Sequence, residues 1–64
     1  MNTSDTVLAV RVAASYETIV RWRDAGRSWT EIDMMMHPDD PENYARALRI
    51  GQIHGSIERQ KRGR

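Results

Sequence analysis

The stretch from Ile19 to Met36, IVRWRDAGRSWTEIDMMM, decides the fold of this chain. It combines a helical apolar spacing, a glycine-containing tight turn and the start of a second helix. Gly26 is a natural residue to end the first helix, because glycine adopts the left-handed conformation without strain. Ser28 and Glu31 match the S-x-x-E capping box, in which each side chain accepts a hydrogen bond from the other residue's amide. The sequence therefore predicts two helices joined by a short turn.

Outward from this stretch, the same spacing predicts three helices, near residues 13–25, 28–37 and 41–58. Asp40 is a good N-cap for the third helix, and Pro41 suits its first position. Residues 6–12 are rich in β-branched residues and also alternate, which leaves a short strand and a helix both open. We expect an all-α fold, a small bundle of three or four helices of helix-turn-helix type.

Length and composition exclude several classes of protein. The chain has 64 residues, no cysteine and 39% hydrophobic residues. We expect one helical domain over residues 1–58, followed by a basic C-terminal tail over residues 59–64. The lack of cysteine excludes disulfides and thiolate metal sites. No apolar run reaches the roughly 18 residues of a membrane span, and no basic segment of a signal peptide is present, so we expect a cytoplasmic protein.

Two apolar stripes run along the surface of the third predicted helix. One neighbouring helix cannot cover both of them. We expect the first stripe to join a single core, made of Tyr16, Val20, Trp29, Ile32, Tyr44 and Leu48. The second stripe is then left for another copy of the chain. A homodimer is therefore predicted through Ile50, Ile53 and Ile57.

Charge is unevenly distributed along the chain. Residues 31–42 contain five acidic residues and no lysine or arginine, whereas residues 43–64 contain six basic residues and one acidic residue. A basic segment attracts nucleic acid. Arginine, which supplies nine of the ten cations, has a planar fork that suits phosphate and guanine. Two candidate surfaces follow, a basic one for DNA and an acidic one for a protein.

The stretch around the turn resembles the homeodomain-like, resolvase-type helix-turn-helix domains. The matching residues are Ile19, Arg23, Ala25, Gly26, Ser28, Trp29, Glu31 and Ile32. The resemblance implies that the third helix enters the major groove of DNA. It also implies that three residues of that helix lie near the bases, namely Asn43, Arg46 and Arg49.

A second resemblance involves the alternating residues Leu8-Ala9-Val10-Arg11-Val12, followed by a helix and the Gly-Arg-Ser-x-Thr-Glu-Ile start of another helix. This order is similar to that of the ribbon-helix-helix repressors. In that family the strands of two chains pair and read the major groove, which implies that Ala9 and Arg11 face bases. We rank this fold second among the DNA-binding folds.

The leading hypothesis is a small protein that binds double-stranded DNA, a transcriptional regulator of phage or mobile-element type. Beyond the residues near the bases, its phosphate contacts are predicted to be Arg27, Arg59, Lys61, Arg62 and Arg64. The alternative is a small phage-type interaction protein that inhibits or redirects a host protein of the transcription or defence machinery. Its contacts are predicted in the acidic segment, at Glu31, Asp33, Asp39, Asp40 and Glu42.

Catalytic and metal-binding patterns are poor. There is no cysteine nucleophile and no serine in a G-x-S-x-G elbow. His37 and His54 match no metal-binding spacing, so His37 is interpreted as a helix-end residue and His54 as a partly exposed face residue. We expect neither an enzyme nor a bound cofactor or metal.

Overall fold

The computed structural model describes residues 3–40 and 43–63. Four α-helices follow one another along the chain, and these residues contain no strand. The helices are α1 (Thr3–Ala14), α2 (Tyr16–Asp24), α3 (Trp29–Met36) and α4 (Tyr44–Arg62). The prediction of a small all-α bundle is therefore confirmed, in its four-helix form.

The first two helices replace the single helix predicted over residues 13–25. Residues 6–12 lie in α1, so the strand that a ribbon-helix-helix fold needs there is absent from them. Ser15 separates the helices: its amide donates to the carbonyl of Arg11 at 3.0 Å, and its carbonyl accepts from the amide of Ile19 at 2.9 Å. The Ser15 side chain makes no capping hydrogen bond. Serine is a common N-cap residue, so Ser15 is the signal that the sequence offers for this break, and it is a weak one because no glycine or proline accompanies it.

The turn between α2 and α3 follows the prediction. Gly26 has a φ of 88°, in the left-handed region that favours glycine. The amide of Arg27 donates to the carbonyl of Trp22 at 3.0 Å, which closes the end of α2. Ser28 Oγ accepts from the amide of Glu31 at 3.1 Å, and Glu31 Oε1 accepts from the amide of Ser28 at 2.9 Å. The predicted capping box is therefore confirmed.

The long helix α4 begins later than predicted. Asn43 is its N-cap, and Asn43 Oδ1 accepts a hydrogen bond from the amide of Arg46 at 3.0 Å. The prediction that Asp40 caps this helix is wrong, because Asn43 offers an equally good side-chain acceptor closer to the first helical turn. Pro41, predicted at the first helical position, lies outside the described residues.

The hydrophobic core takes residues from all four helices, and α4 packs against both α1 and α3. Its buried members are Leu8, Val12, Ile19, Ile32, Ile50 and Ile53. Trp29, Met35, Met36 and Ile57 are partly buried and pack against this cluster. Of the residues predicted for the core, Ile32 is buried, and Tyr16 and Val20 are half-buried.

The structure corrects which stripe of α4 faces inward. Tyr44 and Leu48, predicted for the core, are 71% and 64% exposed. Ile50 and Ile53, predicted for a dimer surface, are buried in the core of the single chain, and Ile57 packs against it. These isoleucines are therefore not available as the predicted surface for a second copy.

A glycine on α4 explains this orientation. A Cβ atom at Gly51 would lie 3.1 Å from Cε2 of Trp29, so the missing side chain leaves room for the indole ring. The ring brings α3 close to α4 at this point, and Ile50 next to it then turns into the core. We refer to the side of α4 formed by Arg46, Ala47, Ile50, Ile53 and His54 as its inner face.

Candidate nucleic-acid interface

The opposite side of α4 faces solvent along most of the helix. We call it the outer face; it consists of Tyr44, Ala45, Leu48, Arg49, Gln52 and Arg59, all of them exposed. Residues three, four and seven positions apart share one side of a helix, so these residues form a continuous strip. Arg49 Nη1 donates to Gln52 Oε1 at 3.2 Å. The strip therefore presents two adjacent polar side chains beside an exposed leucine.

Arg46 lies one turn before Arg49, but its side chain turns into the protein. Its Nε donates to Oδ1 of Asp33, and its Nη2 donates to Oδ2 of Asp33 at 3.1 Å. The Asp33 side chain is 0% exposed and that of Arg46 is 20% exposed. Such two-pronged pairs are strong, and each charge here depends on the other for its compensation. The expectation that Arg46 contacts DNA and Asp33 contacts a protein is corrected, since the two side chains bind each other.

Two further side chains join this ion pair. His37 Nδ1 lies 3.3 Å from Oδ1 of Asp33, and Asp40 Oδ2 accepts from Nη1 of Arg46 at 3.3 Å. The hydrogen bond to Asp33, together with the negative charges of Asp33 and Asp40, raises the pKa of the Arg46 guanidinium above its ordinary value. The network therefore ties α3, the turn after it and α4 together.

Glu31 and Arg27, predicted for opposite functional surfaces, also interact. Arg27 Nη1 lies 3.6 Å from Glu31 Oε2, and both side chains are about half exposed. The hydrogen bond from the Ser28 amide holds the pKa of Glu31 below its ordinary value, with help from the Ser28 hydroxyl and the charge of Arg27. An exposed pair of this kind is weak, so Arg27 can exchange Glu31 for another anion.

The acidic surface predicted for a protein partner is smaller than its sequence suggests. Asp33 is buried, and Glu31 is held in the capping box. Asp39 and Asp40 are exposed, although Asp40 also pairs with Arg46. Glu42, the fifth predicted contact, lies outside the described residues.

The basic C-terminal segment is helical over most of its length. α4 continues past residue 58, its predicted end, and its last turn exposes Arg59, Lys61 and Arg62. Lys61 Nζ lies 4.8 Å from the centre of the Tyr16 ring, and Arg62 Nη2 lies 3.9 Å from Glu58 Oε1. Cations in this position also interact favourably with the helix dipole. Arg64, the last predicted contact, lies outside the described residues.

His54 is the main feature that the sequence analysis missed. Its side chain is buried, not partly exposed, and its ring stacks on Tyr16 with 4.4 Å between ring centres. The Trp29 ring lies 5.7 Å away, and the guanidinium of Arg23 sits 4.6 Å from the Trp29 ring centre. His54 Nε2 is buried without a hydrogen-bond partner among the described residues. This aromatic cluster joins α2, α3 and α4.

Within the described residues, no group of three or more His, Asp or Glu side chains is placed to hold a metal ion. In the same part of the chain, the helices are too short or too polar to cross a membrane. No protein-family model matches the sequence, and neither the curated proteins nor the solved structures give a significant match.

Proposed function

We propose that this protein binds double-stranded DNA through the outer face of α4. The observation that carries the proposal is the division of charge on this helix. Arg46 is paired with Asp33 inside the protein, and Glu58 is the one acidic residue of α4. The other cations of the helix are exposed: Arg49, Arg59, Lys61 and Arg62. α4 therefore presents a mainly positive surface to solvent, as phosphate binding requires.

The shape and chemistry of the outer face suit the major groove. α4 has 19 residues, about 28 Å at the helical rise of 1.5 Å per residue. The major groove admits an α-helix, where arginine recognises guanine and glutamine recognises adenine through paired hydrogen bonds. Gln52 supplies such a side chain on the outer face, and Arg49 lies beside it and donates a hydrogen bond to it. Leu48 adds an apolar surface of the kind that contacts the thymine methyl group.

Other predicted contacts take supporting positions. Arg59, Lys61 and Arg62 lie at the end of α4, where they suit phosphates further along the duplex. Arg27 lies on the turn before α3, and its side chain forms an exposed ion pair with Glu31. Asn43 uses its side-chain oxygen to cap α4. We therefore assign the base contact to Gln52 and phosphate contacts to Arg49 and the flanking cations.

Binding to a random-sequence DNA duplex, followed by fluorescence anisotropy over a range of salt concentrations, tests the proposal. We expect affinity to fall steeply with salt, because phosphate contacts release counterions. Arg49→Gln should weaken binding and lower the slope by about 1, as the loss of one phosphate-attracting charge does. Arg21→Gln, which removes an exposed arginine on α2, is the matched control and should bind like the unmodified protein.

Two results would count against the proposal. One is no binding at low salt; the other is an Arg49→Gln variant that binds as tightly as the Arg21→Gln control. A variant with Asp39→Asn and Asp40→Asn adds a test of the acidic alternative. If DNA is the target, its affinity for DNA should stay the same or rise, because like-charge repulsion near the phosphates is relieved.

A protein partner is the second candidate, and the exposure of Tyr44 and Leu48 favours it. Tyr44 and Leu48 lie one helical turn apart, so their apolar surfaces are neighbours, and contiguous exposed apolar surface marks contact sites. The acidic route has less support, because Asp33 is buried and Glu31 is used as a cap. Loss of biological activity on Leu48→Ser with unchanged DNA affinity would favour the protein partner.

A further inference from the structure

An open groove of about 700 Å³ runs between α1 and the first half of α4. It borders the outer face, because Ala45 and Arg49 belong to both. On the α1 side it is lined by Val7 and Arg11, and at its end by the turn that follows α3. The groove therefore extends the proposed DNA surface sideways, beyond the helix that would enter the major groove.

Three arginines line this groove, namely Arg11, Arg46 and Arg49, and they differ in what they contact. Arg46 is paired with Asp33 and with Asp40, which also lines the groove. Arg49 Nε lies 3.7 Å from Asp5 Oδ1, and both side chains are nearly half exposed. Arg11 is exposed and makes no ion pair with any residue that the structure describes. Among the residues that the structure describes, Arg11 therefore has no carboxylate partner, and Arg49 has one that is weakly held.

We propose that this groove is a phosphate-binding subsite, filled by a phosphodiester group of the DNA strand that flanks α4. This inference rests on the proposed function and identifies which residues would contact the DNA backbone. Arg11 and Arg49 would hold the phosphate oxygens from two sides, the geometry for which arginine forks are suited. The N-terminus of α4, capped by Asn43 at the same groove, adds the positive end of its helix dipole.

In this subsite, Asp5 would compete with the phosphate for Arg49. A carboxylate and a phosphate compete for the same face of a guanidinium, so Asp5 occupies Arg49 until DNA arrives. The pair is solvent-exposed on both sides, which limits its strength to a value that a phosphate contact can replace. Asp5 therefore lowers DNA affinity, and its removal should raise it.

Three variants test the subsite in the anisotropy assay. Asp5→Asn should bind DNA about two- to fivefold more tightly, the range that one exposed ion pair permits. Arg11→Gln should bind more weakly and lower the salt slope by about 1. Arg11→Lys keeps the charge and should retain the slope of the unmodified protein. If DNA binds but Asp5→Asn is no tighter and Arg11→Gln keeps the full slope, the subsite is wrong and the proposed function stands.

A second measurement separates a DNA phosphate from a free phosphate. Inorganic phosphate is titrated into the protein while the side-chain Nε–H signals of Arg11 and Arg49 are followed by NMR, with chloride at equal ionic strength as control. Shifts of both signals together with the slope change support a subsite for the DNA backbone. Shifts without any DNA binding overturn the proposed function and leave a site for free phosphate. No shift and no slope change overturn the subsite.

Discussion

The inner and outer faces of α4 carry the same kinds of side chain and use them differently. On the inner face, Ile50 lies in the core and Arg46 pairs with buried Asp33. On the outer face, Leu48 is exposed and Arg49 reaches into solvent. Residue type and helical spacing are alike on the two faces, so the role of each residue is set by what lies opposite. The inner face stabilises the fold, and the outer face is exposed to solvent.

The largest difference in stability between the two faces is expected at the buried ion pair of Asp33 and Arg46. Asp33→Ala should lower the free energy of unfolding by about 3–5 kcal/mol, because Arg46 keeps its charge and loses its main partner. Urea denaturation measures the loss, and Asp39→Ala, at an exposed acidic position, should change stability by less than about 0.5 kcal/mol. Equal effects of the two substitutions would mean that Asp33 is not buried.

The two apolar stripes of α4 provide the next test. Ile50→Ala should cost about 2–5 kcal/mol, as truncations in a core do, whereas Leu48→Ala should stay within about 0.5 kcal/mol. Thermal unfolding of the two variants, followed by circular dichroism, gives the comparison. A larger loss for Leu48→Ala would restore the orientation that the sequence predicted and reverse the two faces.

Gly51 and Gly55 on α4 allow a further comparison of stability between a packed and an open position. Replacement by alanine raises the helix propensity of both positions by the same amount. A Cβ atom at Gly51 would lie 3.1 Å from the Trp29 ring. A Cβ atom at Gly55 would lie 3.9 Å from Arg59 Nη1. Gly51→Ala should therefore be less stable than Gly55→Ala by about 1–3 kcal/mol, the usual cost of overpacking. Chemical denaturation that finds the two variants equally stable would remove the reason given for the orientation of α4.

The smallest effect is expected at the capping box of α3. Ser28→Ala should lower stability by about 1 kcal/mol, because the amide of Glu31 loses its acceptor. The pKa of Glu31 is lower in the folded protein, so its contribution is present above its ordinary pKa of 4.5 and is lost as pH falls through the folded value.

Thermal melts at several pH values check this prediction. The difference in stability between the unmodified protein and Glu31→Gln should be largest above pH 4.5 and should shrink below it. A difference that does not change with pH would show that the Glu31 charge contributes nothing to stability. If Ser28→Ala leaves the stability unchanged, the capping hydrogen bond contributes nothing either.

Local features of the fold could be predicted from the sequence. The turn at Gly26 and the capping box at Ser28 and Glu31 depend on residues within one helical turn of each other, and both are confirmed. The helices that follow Ser15 also agree with the apolar spacing, whereas the pattern over residues 6–12 left a strand and a helix both open. Each of these features is decided by neighbours in the chain, which is why a single sequence was sufficient.

Features decided by distant residues could not be predicted. The partner of Arg46 is Asp33, thirteen positions away on another helix, and no spacing rule links the two. Both stripes of α4 are apolar, so its orientation depended on the packing of Trp29 against Gly51. The predicted DNA contacts therefore included one arginine, Arg46, that the fold itself uses.

If the protein binds DNA as proposed, Arg49 on the outer face contacts the duplex and Arg46 on the inner face does not. The most direct measurement is NMR of the side-chain Nε–H signals of the two arginines as duplex DNA is added. We expect a large shift for Arg49, a matching shift of the Gln52 side-chain amide, and an unchanged signal for Arg46. A shift of Arg46 with Arg49 unchanged, or no shift at all, would contradict the proposal.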